Sequence, residues 1–94
     1  MTRIKESEYN KIGLLRVAKF AYNVDEDFGL DLNKLVEVLN NLPEKDLYVL
    51  ALEFQFEIET DSKIDFTYNY DYDNTLQKAR YRLNHPSRRR KLFN

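Results

Sequence analysis

The hydrophobic period of the chain changes at Pro43, and that change constrains the fold more than any other feature. Upstream, Ile12, Leu15, Ala18 and Tyr22, with Leu14, Val17 and Ala21 beside them, recur at steps of three and four. That is the period of a helix with a wide buried stripe. A second stripe, Leu32, Leu35, Val36, Leu39 and Leu42, follows Asp31, a residue type that caps helix N-termini. The spacing therefore predicts one helix from near Thr2 or Ser7 to Tyr22 and another from about Leu32 to Asn41. Gly13 lies inside the first and costs about 1 kcal/mol relative to Ala; it reads equally as a point of close packing and as a tolerated glycine. Pro43 closes the second helix and suits the first position of a further one.

Downstream, the period is two. Leu52, Phe54, Phe56 and Ile58 alternate with Glu53, Gln55, Glu57 and Glu59, and Ile64, Phe66, Tyr68, Tyr70 and Tyr72 alternate with Asp65, Thr67, Asn69 and Asp71. With the polar stretch between them, the two runs read as a β-hairpin with one apolar and one acidic face. Asp73 or Asn74 then caps a last helix with Leu76, Ala79 and Leu83 as its stripe. Pro86 ends it, leaving residues 84–94 as a basic tail. The expectation is an α+β unit of order α-α-β-β-α, two N-terminal helices, a hairpin and a basic C-terminal helix with its tail. Residues 1–94 form one domain, because a chain of 94 residues that is 43% hydrophobic builds one modest core. Two strands alone are marginal, so the hairpin lies on the helices or pairs with a second copy, making a homodimer one expectation.

Composition narrows the chemistry. There is no Cys and one His, which removes disulfides, thiolate catalysis and ordinary zinc sites. With only Gly13 and Gly29, neither a Walker loop nor a dinucleotide-binding glycine motif nor a nucleophile elbow is available. Asn23, Asp25 and Asp27 are spaced like the first ligands of a calcium loop, but Phe28 and Lys34 stand where that loop needs Gly and a bidentate acid. The expectation is a non-enzymatic protein with no metal and no cofactor. The N-terminus has no apolar signal core and every apolar run is broken by charge, so a soluble cytoplasmic protein is expected. His85, just before Pro86, suits helix capping or a phosphate contact better than acid–base work.

Charge supplies the functional direction. Residues 78–94 hold seven of the fifteen Lys and Arg and no acid, whereas residues 43–77 hold nine acids against Lys45 and Lys63. Clustered cations on a helix and beyond it suit nucleic-acid phosphates, and the candidate ligands are Lys78, Arg80, Arg82, Arg88, Arg89, Arg90 and Lys91. Tyr68, Tyr70 and Tyr72 could stack on bases, although core packing is the commoner use of such residues. The alternative is a protein-interaction module or phage-type inhibitor, in which an acidic hairpin face of Glu53, Glu57, Glu59, Asp65 and Asp71 occupies the basic groove of a protein partner. Meeting of the two oppositely charged faces between copies is a third route to association.

Two stretches carry a family resemblance. LQKARYRLNHPSRRRKL, with Lys78, Ala79, Leu83, His85, Pro86, Ser87, Arg88, Arg90, Lys91 and Leu92, resembles the C-terminal end of region four of sigma-seventy class bacterial sigma factors. LVEVLNNLPEKDLYVLALEF, with Leu35, Leu39, Leu42, Pro43, Glu44, Val49, Leu50, Leu52 and Phe54, is similar to the start of that region. The helix-turn-helix that the family carries between them is not recognisable, and Asp71, Asp73 and Asn74 stand where the family has Arg and Gln. The resemblance implies a bacterial or phage protein of transcription regulation that touches RNA polymerase or backbone phosphate, without promoter-sequence reading.

Overall fold

The computed structural model describes residues 3–5, 9–23, 31–60 and 69–93, with the side chains of all of these except residues 9 and 69–71. In chain order the elements are β1 (Arg3–Ile4), α1 (Tyr9–Tyr22), α2 (Leu32–Asn40), α3 (Glu44–Phe54), β2 (Ile58–Glu59), α4 (Asn69–Leu83) and α5 (Pro86–Phe93). The architecture is α+β and mostly helical. One cluster of buried apolar residues joins the helices; Val17, Leu35, Leu39, Leu47, Leu50, Ala79 and Leu83 are each no more than 1% exposed. Each buried Leu contributes about 1.5–3 kcal/mol relative to exposure, so this shared stripe is what holds the helices together.

The first two helices lie close to where their spacing puts them. Asp31 caps α2, its carboxylate accepting from the Asn33 and Lys34 N–H groups at 2.9 and 3.4 Å. Gly13 is a point of close packing: a Cβ built there would lie 2.9 Å from both the Phe54 carbonyl oxygen and the Phe56 Cβ. The missing side chain lets α1 rest directly on the backbone where α3 ends. Of the segment compared with a calcium loop, Asn23 ends α1 with a left-handed φ of 54°, Lys34 lies in α2, and residues 24–30 lie outside the described residues.

The hairpin expected across residues 52–72 is corrected. Leu52 and Phe54 belong to α3, which opens after Pro43 with Glu44 and Asp46 in its first turn, where acids favour the helix dipole. The helix stops at Gln55, whose left-handed φ of 58° turns the chain. Leu47, Leu50, Ala51 and Phe54 supply a three-to-four spacing that outweighs the short alternation, and Leu52 points outward, 53% exposed. Ile58 and Glu59 do form a strand, but its partner is β1, with Arg3 opposite Glu59 and Ile4 opposite Ile58 in antiparallel register. Buried Asn10 secures this junction: its Oδ1 accepts from the Glu57 N–H at 2.7 Å, and its Nδ2 donates to the Lys5 and Glu57 carbonyls at 2.7 and 3.0 Å. Tyr70 and Tyr72 lie in α4, not in a second strand. Residues 61–68, including Asp65 and Tyr68, lie outside the described residues.

The last helix also starts earlier than its caps suggested. It begins at Asn69, so Asp73 and Asn74 sit within α4. The segment expected as a basic tail is instead the helix α5, with Pro86 as its first residue and with half-buried Leu92 and Phe93 packed against the core. Among the described residues, no helix is long and apolar enough to cross a membrane.

Candidate nucleic-acid interface

Seven cations arrive at the C-terminal end of the fold, and packing divides them. Arg82 lies on the α3 side of α4 and is joined by a hydrogen-bonded ion pair to Asp46, whose side chain is 2% exposed. A carboxylate this buried is costly without a partner, so Arg82 is committed to holding α4 on α3. Arg88 donates to the Arg82 carbonyl at 3.1 Å. Arg89 donates to Asn84 Oδ1 at 2.9 Å, and its guanidinium lies 5.6 Å from the Tyr22 ring centre and 5.3 Å from that of Phe93. Those two rings meet edge to face at 5.3 Å. Cation–π contacts of this kind contribute about 0.5–2 kcal/mol each, which makes Arg89 part of the joint between α1 and α5.

The Tyr22 hydroxyl completes that joint by donating to the Leu83 carbonyl at 2.8 Å. Burial pushes the phenol up to about 12, against the opposing pull of Arg89 and Arg88. Asn84, between the two helices, donates to the Ala21 carbonyl at 2.7 Å and the Arg80 carbonyl at 3.0 Å. At the start of α5, His85 Nδ1 accepts from the Ser87 N–H at 3.3 Å and lies 2.8 Å from its hydroxyl oxygen. The imidazole thus caps a helix N-terminus; its expected partners were carbonyls or phosphate.

Arg89 is exposed despite these bonds, and four further cations are exposed with it. Arg90 and Lys91 are exposed on α5, and Lys78 and Arg80 are exposed on α4. Arg80 lies over the Phe20 ring at 5.5 Å while keeping its charge at the surface. Lys78 also lines a shallow cleft of about 220 Å³ with Pro43, Lys45, Asp46, Asn74, Thr75 and Arg82, so Lys45 of α3 joins the basic surface. Sequence reasoning passed Lys45 over because acids surround it in the chain; only the packing of α3 on α4 puts it beside Lys78.

The acidic set is dispersed. Glu53 is exposed on α3 and accepts from the Tyr72 hydroxyl at 2.6 Å; burial, and then this bond, raise the Tyr72 phenol well above the usual tyrosine range. Glu57 is exposed between α3 and β2, and Glu59 pairs with Arg3 at 3.1 Å. Asp71 lies in the first turn of α4 with its side chain outside the description, as is all of Asp65. The described members do not share a strand face. Among the described residues no group of three His, Cys, Asp or Glu is placed to hold a metal ion. No protein-family model matches the chain, and neither a curated protein nor a solved structure matches it.

Proposed function

We propose that this protein is a small non-enzymatic regulator that binds nucleic-acid backbone through the outer cations of α4 and α5, in the setting of the transcription machinery. The observation that carries the reading is the division of the Arg88–Lys91 run. Arg88 and Arg89 bond back onto the fold, Arg89 while itself exposed, and Arg90 and Lys91 stay exposed on the helix that this bonding docks. Cations held on a docked helix neutralise phosphates with less loss of chain entropy than cations on a loose tail. The resemblance to region four of sigma factors supplies the transcription setting. Its two stretches fall on α2–α3 and α4–α5, and α3 and α4 pack along each other.

Charge reversal at Arg90 and Lys91 tests the reading directly. The double variant Arg90→Glu, Lys91→Glu is expected to lose binding to a short DNA duplex and to single strands at low salt, with an unchanged circular dichroism melt. Equal binding by the variant and the parent would refute it. Arg88→Gln and Arg89→Gln act through stability instead, lowering the melting temperature.

A further inference from the structure

Among the described residues Tyr81 is the most exposed large hydrophobic side chain, at 78%. Two other tyrosines are occupied: Tyr22 is buried and bonded to Leu83, and Tyr72 is half-buried and bonded to Glu53. Tyr81 lies among cations. Lys78 is one helical turn before it on the same face, Arg80 flanks it, and no acid occurs from Gln77 to Phe93. An aromatic face beside positive charge fits a nucleotide, whose base stacks on the ring while its phosphate meets the cation.

We propose that Tyr81 is a stacking platform for an unpaired nucleobase, which makes single-stranded DNA or RNA the partner of the α4–α5 surface. The inference rests on the phosphate-binding reading above and adds the state of the nucleic acid. In a duplex the base faces are covered by their neighbours, and a phenol on a helix meets only edges and backbone. In a single strand every base offers a face, and the stack is indifferent to base identity. Of the tyrosines that the sequence offered first, Tyr72 lies in α4 and is bonded to Glu53, and Tyr68 lies outside the described residues. Tyr81 takes their place on α4, in a stretch whose charged residues are all basic.

The chain has no Trp, so Tyr81→Trp places a lone indole reporter at the site in the full-length protein. The probes are oligo(dT) and oligo(U) of about twelve nucleotides, within the usual span of a single-strand site, an abasic strand of equal charge, and a duplex. The base-bearing strands are expected to quench the indole and the abasic strand to leave it bright. Tyr81→Ala is expected to weaken oligo(dT) or oligo(U) binding about tenfold, the scale of one lost stack, without altering abasic binding, and Tyr81→Phe to bind as the parent does. A stronger effect with one of the two oligomers identifies DNA or RNA as the source. If Tyr81→Ala keeps the parent's preference for base-bearing over abasic strands, the stacking inference is overturned while the phosphate reading stands. If the parent binds neither kind of strand at low salt, both fall together.

Discussion

Replacing Arg82 by Met would expose how much of the fold depends on one ion pair. The change keeps a long apolar stem against α3 but removes the guanidinium from Asp46, whose side chain is 2% exposed. Losing the partner of a fully buried charge costs about 3–5 kcal/mol. Arg82 is 38% exposed, so water can follow the missing group part of the way, and the expected loss is about 2–3 kcal/mol. Domains of this size are stable by roughly 5–14 kcal/mol, so the variant should still fold, with a melting temperature lower by about 10–20 °C. Asp46→Asn is milder, about 1 kcal/mol, because the orphaned guanidinium reaches solvent by itself. Urea melts followed by circular dichroism at both single variants and the double variant would measure the coupling. A loss below about 0.5 kcal/mol for Arg82→Met, the size of an ordinary surface change, would refute the account. Nucleic-acid binding per folded molecule should fall far less than for Arg90→Glu, Lys91→Glu, since the Arg82 guanidinium is already paired with Asp46.

Three further outcomes follow from packing and burial. Gly13→Ala gains about 1 kcal/mol of helix propensity, but its Cβ would lie 2.9 Å from a backbone oxygen, and such overpacking costs about 1–3 kcal/mol; a net loss is expected, and a raised melting temperature would contradict the close contact. Asn10→Ala strips three hydrogen bonds from the junction of residue 5 with residue 57, with an expected loss of about 2–4 kcal/mol in urea melts; a loss below about 0.5 kcal/mol would contradict this role. Tyr22 is raised to about 12 by burial, so its neutral form stabilises the fold fully below the ordinary tyrosine pKa of about 10 and loses that contribution as pH climbs towards 12. Tyr22→Phe should therefore be less stable than the parent by about 1 kcal/mol at neutral pH and lose this gap above about pH 10; a gap constant with pH would contradict the assignment.

The helical part of the fold was legible where periodicity and punctuation agreed. Asp31 before a clean stripe, Pro43 at a boundary and Leu83 before Pro86 all mark helix limits that the structure keeps. The stretch from Leu52 to Ile58 misled because four alternating residues fit either period, and the deciding contacts, Gly13 on Phe54 and Asn10 on Glu57, join positions about forty residues apart. Tyr72 shares a three-to-four spacing with Leu76, Ala79 and Leu83, so the earlier start of α4 was present in the sequence but masked by the tyrosine alternation. The basic candidates were legible as a set, and their division was not. Nothing local says that Arg82 meets an acid thirty-six residues away, or that Arg89 lies against Tyr22 and Phe93.

The docking of α5 also bears on how the chain meets proteases. Four successive residues, Arg88, Arg89, Arg90 and Lys91, are each a cleavage signal for trypsin, yet a helix tied to Tyr22, Asn84 and the Arg82 carbonyl does not offer the extended backbone that a protease cleft accepts. Cutting there has to wait for α5 to undock and unwind, so the rate of clipping at this run reads the free energy of that local opening. The same arginines that attract the protease are among the contacts that keep it waiting.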